Sequence, residues 1–226
     1  MTIAPTDFLP AIELEYGSDP VYTILWLHGL GADGNDFVPI VDELGLPPDA
    51  RIRFIFPHAP KRPVSINNGF VMRAWYDVLS PDFGSLEDEA GLRDSQRAIE
   101  ALLEREQRRG IASTRIVLAG FSQGGAMALQ TGLRYPERLA GIMALSCYLP
   151  LRQILTAEAH HANSATPILM AHGSRDPVVP LALAAASRRQ LLESDYMVEW
   201  HEYPMAHTVC AEEMADIGAW LRRVLV

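Results

Sequence analysis

Short apolar segments alternate with helical patterns along almost the whole chain, and this alternation restricts the fold more than any other feature. Most of the predicted strands in the middle of the chain are continuously apolar, as parallel strands covered on both faces must be. The predicted strands are 12–16, 21–27, 52–56, 115–121, 141–146, 168–172 and 197–203. The predicted helices are 36–44, 85–109, 123–134, 181–193 and 211–225. This order predicts an α/β fold with a mostly parallel central sheet flanked by helices.

Length and composition favour one globular domain over residues 1–226, because 49% of the residues are hydrophobic and 21% are charged. The formal net charge of −9 argues against nucleic-acid partners and stable membrane association. The sequence offers no signal peptide and no apolar run long enough to span a bilayer. Two cysteines cannot form a disulfide framework. We therefore expect a cytoplasmic monomer or homodimer.

Residues 57–83 do not fit the alternation of strands and helices. This segment is rich in proline, asparagine and glycine, and it carries Phe70, Trp75 and Tyr76. A loop of this length in a compact domain is usually functional. We interpret it as a flap with an apolar underside that covers the active site.

The first of two glycine-rich turns places Gly29, Gly31 and Gly34 in a G-x-G-x-x-G pattern directly after a predicted strand. The same pattern is typical of dinucleotide-binding proteins, so a nicotinamide-dependent oxidoreductase is one alternative function. That function requires an acidic residue at the end of the next strand, to bind the ribose. The next strand ends at Phe56, Pro57 and His58, without a carboxylate, so the pattern does not favour a nucleotide.

The second turn, Gly120-Phe121-Ser122-Gln123-Gly124, is a G-x-S-x-G sequence between an apolar strand and a helix. This is the context of a nucleophile elbow, in which a sharp turn exposes a serine hydroxyl to a base. Gly120 and Gly124 have no Cβ, so the strained turn can close. The motif favours Ser122 as a nucleophile over a serine that only caps the helix.

A serine nucleophile requires a histidine base and a carboxylate that orients this histidine. Asp176 follows the strand 168–172 in a turn bounded by Gly173 and Pro177. We favour it over Glu193, Asp195 and Glu202, which belong to a helix end or an alternating strand. A plain turn-forming role for Asp176 remains an alternative.

Among seven histidines, His207 is the predicted base, because it lies in the loop between the last strand and the last helix. It also follows Asp176, which gives the chain order Ser, acid, His of α/β-hydrolases. His28, His58 and His172 lie at strand ends, where we expect them to hydrogen-bond the loops they begin. The other three are His160, His161 and His201, which are predicted to be exposed or within a strand. No metal-binding pattern such as H-E-x-x-H is present.

Acyl transfer also requires donors for the oxyanion. The backbone N–H of Gln123 follows the nucleophile directly, and the N–H of Leu30 belongs to the early strand–helix loop. These two groups are the predicted oxyanion hole. Five apolar side chains are predicted to contact the substrate: Phe70, Trp75, Val78, Leu79 and Met205. Core packing is an alternative explanation for several of them.

Four motifs in order resemble the phospholipase/carboxylesterase family, which includes acyl-protein thioesterases. They are Leu27-His28-Gly29-Leu30-Gly31, the elbow at Ser122, the segment 172–180 that contains Asp176, and Ala206-His207. The segment from Arg73 to Asp77 is also similar, although the family usually has phenylalanine at the position of Tyr76. The resemblance implies an α/β-hydrolase without a large cap domain or a cofactor. It further implies a Ser122–Asp176–His207 triad that hydrolyses short to medium acyl esters, thioesters or lysophospholipids. A non-catalytic binding protein with this fold is a further alternative.

Overall fold

The computed structural model describes residues 8–80 and 86–225. Its strands are β1 (Ala11–Tyr16), β2 (Tyr22–Leu27), β3 (Ile52–Pro57), β4 (Lys61–Val64), β5 (Phe70–Arg73), β6 (Ile116–Phe121), β7 (Gly141–Leu145), β8 (Ile168–Gly173) and β9 (Val198–Tyr203). Its α-helices are α1 (Glu89–Arg108), α2 (Gln123–Gly132), α3 (Leu155–Glu158), α4 (Leu181–Glu193) and α5 (Ala211–Val224). Within these residues, no helix is long and apolar enough to cross a bilayer.

The central sheet has seven strands in the order β1-β3-β2-β6-β7-β8-β9. Strand β1 is antiparallel to β3, and every other neighbouring pair in this sheet is parallel. The carboxyl ends of β2, β6, β8 and β9 therefore meet at one edge of the sheet, where ligands bind in open α/β sheets. Strand β9 is an edge strand, the last in the sheet order, and this position explains its alternating sequence.

Consecutive side chains of the inner strands enter two different hydrophobic cores. Leu25 and Leu118 pack under helices α1 to α4 on one face. Ile24 and Val117 pack on the other face, against α5 and the 3-10 helix Val38–Glu43. Because helices cover both faces, the inner strands are apolar at most positions, as the sequence pattern predicted. The exceptions are three buried polar or charged residues, Thr23, Arg53 and His172. The expected fold class, a mostly parallel sheet flanked by helices, is confirmed.

Three predicted elements differ from the structure. Part of the flap 57–83 is not an irregular loop but an antiparallel hairpin of β4 and β5, in which Val64 pairs with Phe70; residues 81–83 lie outside the described residues. The predicted helix 36–44 is a short 3-10 helix, Val38–Glu43, with Pro39 in its first turn.

The long helix predicted over 85–109 begins only at Glu89. Its N-cap is Asp88, whose carboxylate accepts the N–H of Gly91 at 2.9 Å. Ser85, the first residue of the predicted helix, lies outside the described residues. Helix α3 was not predicted, because four residues are too few to produce a helical pattern of apolar positions.

Candidate active site

Ser122 occupies the turn between β6 and α2 with the backbone angles φ +56° and ψ −121°. A non-glycine residue with positive φ is strained, and such strain concentrates at functional sites. The close packing around the turn requires its glycines: a Cβ on Gly120 would lie 2.2 Å from the carbonyl oxygen of Gly124. A Cβ on Gly124 would lie 2.2 Å from the carbonyl oxygen of Leu27. Both glycines therefore have the role that the sequence predicted.

Asp176 lies in the turn after β8, and its side chain is fully shielded from solvent. Its Oδ1 accepts two backbone N–H groups, from Val178 at 2.8 Å and from Val179 at 2.9 Å. Its Oδ2 accepts the Nδ1–H of His207 at 2.6 Å. These three donors stabilise a carboxylate inside the protein and fix its orientation.

His207 lies in the loop between β9 and α5, and it joins the other two side chains. Its Nε2 lies 2.9 Å from the Oγ of Ser122, while its Nδ1 bonds to Asp176. The loop can approach β8 because Gly173 has no side chain; a Cβ there would lie 2.3 Å from the carbonyl oxygen of Ala206. The structure thus brings Ser122, His207 and Asp176 into one hydrogen-bonded series.

The ring of Phe121 packs against the imidazole of His207, with 4.8 Å between the ring centroids. Phe121 is the variable residue before Ser122 in the elbow motif, and the sequence analysis gave it no role. Its position follows from the elbow itself, since the last side chain of β6 has to lie beside the nucleophile. The contact limits how far the imidazole can rotate.

The loop after β2 approaches Ser122 closely. A Cβ on Gly29 would lie 3.4 Å from the Cβ of Ser122. In the described part of the chain, neither the N–H of Leu30 nor that of Gln123 donates to a protein acceptor. The N–H of Gln123 is the first of helix α2, where the helix dipole also favours negative charge. The structure therefore offers two free donors beside the serine.

Buried hydrogen bonds hold the loop that carries Leu30. The side-chain amide of Gln123 accepts the N–H of Trp75 at 2.8 Å and donates to the carbonyl of Tyr76 at 2.7 Å. The indole N–H of Trp75 donates to the carbonyl of His28 at 2.9 Å. His28 in turn accepts the N–H of Ala59 at 3.0 Å. Together these bonds connect the segment after β5 to Gln123 and to the loop that carries Leu30, the two residues predicted to supply the oxyanion donors.

Two buried histidines beside the site remain neutral scaffold residues, as expected for histidines at strand ends. Burial lowers the pKa of His28, whose Nδ1 lies 2.7 Å from the carbonyl of Gly29. Burial also lowers the pKa of His172, whose Nε2 lies 2.9 Å from the carbonyl of Val179. His58 likewise accepts the N–H of Gly34 at 3.0 Å. Each of the three fixes the loop that follows its strand.

The structure does not gather the five predicted substrate contacts into one groove. Trp75 is fully buried and Val78 is 6% exposed, both in the core, so they support the site instead of lining an open surface. Met205 packs against the core on the opposite face of the sheet. Phe70 and Leu79 are exposed, at 68% and 37%. Residue type alone could not separate buried from exposed apolar side chains here.

Comparison with known proteins shows which family the chain is similar to. The profile of the phospholipase/carboxylesterase family matches residues 13–225. Acyl-protein thioesterase 1 of Mycosarcoma maydis is 37% identical over 92% of this chain and 93% of its own length. Acyl-protein thioesterase 1 of Neurospora crassa is 41% identical over 88% of this chain and 85% of its own length.

Among solved structures, Zea mays acyl-protein thioesterase 2 superposes with a TM-score of 0.85 at 28% identity, covering 97% of this chain and 100% of that chain. The similarity therefore extends over the whole sheet and its flanking helices. The chain belongs to the phospholipase/carboxylesterase family of α/β-hydrolases and is a serine hydrolase of carboxylic esters.

Proposed function

We propose that the enzyme hydrolyses acyl esters and thioesters through an acyl-enzyme formed on Ser122. The observation that carries this proposal is the hydrogen-bonded series from Ser122 through His207 to Asp176. In the first step, Ser122 Oγ bonds to the acyl carbon and its proton passes to His207 Nε2. That proton then passes to the leaving oxygen or sulfur as its bond to the acyl carbon breaks.

Water completes the cycle. It attacks the acyl carbon while His207 Nε2 takes its proton, and the bond from the carbon to Ser122 Oγ breaks. The proton returns to Oγ, and a carboxylic acid leaves. In both steps the imidazole becomes an imidazolium beside the Asp176 carboxylate, which stabilises this charge.

The N–H groups of Leu30 and Gln123 are the proposed donors to the oxyanion. Such a donor contributes about 2.7–4 kcal/mol to transition-state stabilisation when it is already oriented. Here the orientation comes from the buried bonds between Gln123, Trp75 and His28. The contribution of Trp75 is therefore indirect: it positions the loop after β2 that carries Leu30, which we call the oxyanion loop.

The names of the relatives, acyl-protein thioesterases, support thioesters beside oxygen esters as substrates. For the acyl chain, we propose contact with the exposed apolar residues Phe70 and Leu79. The hairpin that carries Phe70 borders the oxyanion loop, because Gly31 donates its N–H to the carbonyl of Arg73 at 2.9 Å. We further propose a cytoplasmic location, which fits the free thiols of Cys147 and Cys210.

Hydrolysis of p-nitrophenyl butyrate and of S-(3,3-dimethylbutyl) thiobutyrate tests the function. We expect Ser122→Ala to lower kcat by about 10⁴-fold or more for both substrates. A fluorophosphonate should label the wild-type protein at Ser122 and leave the variant unlabelled. The control is Ser164→Ala, which changes an exposed serine in a short 3-10 turn and should keep full activity.

Two results would contradict the proposal. Equal turnover by wild type and Ser122→Ala would show that Ser122 is not the nucleophile. A folded wild-type protein without labelling or turnover would instead favour a binding protein with this fold.

A further inference from the structure

A cavity of about 360 Å³ opens beside His207, and its lining includes the imidazole, the ring of Phe121 and the 3-10 helix Val38–Glu43. Neither Ser122 nor the oxyanion donors Leu30 and Gln123 line this cavity. It therefore lies on the histidine side of the site. Because His207 Nε2 gives its proton to the leaving group, this is the side on which the alcohol or thiol departs.

The cavity has aromatic and acidic walls. Phe37 and Phe121 contact each other with 5.6 Å between ring centroids, and both line the cavity. Asp36 and Glu43 contribute carboxylates, both are exposed, and neither forms an ion pair with a described residue. Unpaired carboxylates attract cations, and the aromatic rings offer apolar contact to the alkyl groups of an amine.

A second, shallower cavity continues the first, since Asp36 lines both. It extends past Asp33 to Gly31 of the oxyanion loop. Hydrogen bonds from the backbone and side chain of Asn35 lower the pKa of Asp33, so this carboxylate is also charged at neutral pH. Neither cavity has a lysine or arginine in its lining. No lysine or arginine precedes Arg51 in the whole sequence.

We infer that the cavity beside His207 binds the leaving alcohol or thiol of the substrate and prefers leaving groups that carry a quaternary or protonated amine. This inference rests on the proposed function, because it assigns the leaving-group half of the same substrate. The cation lies against Phe37 and Phe121 and is attracted by Asp36 and Glu43. The acyl half of the substrate is not affected by this charge.

The test compares two thioesters with the same acyl chain and nearly the same shape. Butyrylthiocholine carries a trimethylammonium group, and S-(3,3-dimethylbutyl) thiobutyrate replaces it with a neutral tert-butyl group. We expect kcat/KM to be at least about fivefold higher for the cationic thioester at low ionic strength. The preference should shrink as salt is added, since both carboxylates are exposed to screening.

Two carboxylate variants, Asp36→Asn and Glu43→Gln, should each lower the ratio of cationic to neutral kcat/KM by about two- to threefold. The matched control is Asp49→Asn, an exposed aspartate in the loop before β3, at the opposite end of the sheet. This control should keep the wild-type ratio.

Equal kcat/KM values for the two thioesters, or the same loss of preference in Asp49→Asn, would overturn the inference and leave the proposed function standing. If no ester or thioester is hydrolysed, including p-nitrophenyl butyrate, the proposed function fails and the inference fails with it.

Discussion

Replacement of Asp176 by asparagine changes one atom of the proposed triad without changing its shape. In the structure, Oδ1 of Asp176 accepts the N–H groups of Val178 and Val179, and Oδ2 accepts Nδ1–H of His207. An asparagine has only one oxygen to accept hydrogen bonds. The two backbone donors hold that oxygen at the Oδ1 position, so the amide NH₂ takes the place of Oδ2.

This orientation reverses the hydrogen bond to the imidazole. Facing an NH₂ donor, Nδ1 of His207 has to accept, and the ring proton therefore moves to Nε2. Nε2–H then points at Ser122 Oγ, 2.9 Å away, and cannot take the hydroxyl proton. The wrong tautomer in a triad of this kind lowers kcat by about 10⁴-fold. We expect a decrease of about 10³- to 10⁴-fold, equivalent to about 4–5.5 kcal/mol of activation free energy.

The measurement is kcat for p-nitrophenyl butyrate, together with the rate of fluorophosphonate labelling, which should fall in parallel. A urea unfolding curve shows whether the variant is folded. Asp195→Asn is the matched control, because Asp195 is one of the three rival acids in the sequence. It lies in an exposed turn with φ +62°, a conformation that asparagine tolerates.

Asp195→Asn should retain wild-type activity. A folded Asp176→Asn protein with kcat within tenfold of wild type would refute the reasoning. So would an equal loss in the Asp195→Asn control.

Two further predictions concern stability. Gly124→Ala places a Cβ 2.2 Å from the carbonyl oxygen of Leu27, so the free energy of unfolding measured in urea should fall by at least about 3 kcal/mol. The control is Gly69→Ala, which has no atom near its Cβ and should lower the free energy of unfolding by only about 1 kcal/mol. Equal losses in the two variants would contradict the steric argument. Burial raises the pKa of Glu213 to about 8 from its ordinary 4.5, so the unfolding free energy falls by up to about 5 kcal/mol as pH rises through that interval. Glu213→Gln should remove this decline between pH 5.5 and 8.5, whereas the exposed Glu212→Gln should keep it, and an unchanged slope in Glu213→Gln would contradict the assignment.

The positions of Ser122, Asp176 and His207 could be predicted because each follows a strand of a parallel sheet. Parallel strands end at one edge, so residues far apart in sequence meet there. The continuously apolar strands also predicted that both faces of the sheet are buried. Local patterns were sufficient for these features, since each element shows its own periodicity and each turn its own glycines.

The hairpin of β4 and β5 was not predicted because its strands bury little apolar surface: β4 buries only Val64, and β5 buries none of its residues fully. Lys61–Val64 contains a proline and two basic residues, and Phe70–Arg73 leaves Phe70 exposed. Such strands form by pairing with each other, not by packing a hydrophobic face on the core, so period-2 patterns do not reveal them. The supporting role of Trp75 was not predicted either, because its indole N–H bonds to a carbonyl 47 positions earlier in the chain, which no local pattern reveals.

The glycine pattern at residues 29–34 shows why spacing alone does not identify a nucleotide site. A pyrophosphate binds at the N-terminus of an α-helix that follows such a turn. Here the chain instead continues into a six-residue 3-10 helix that begins only at Val38. The glycines allow close contacts of another kind, since Gly29 lies against Ser122 and a Cβ on Gly34 would lie 2.3 Å from the carbonyl oxygen of Phe56. These contacts hold the loop against the elbow, and its Leu30 N–H, the proposed oxyanion donor, has no acceptor among the described residues.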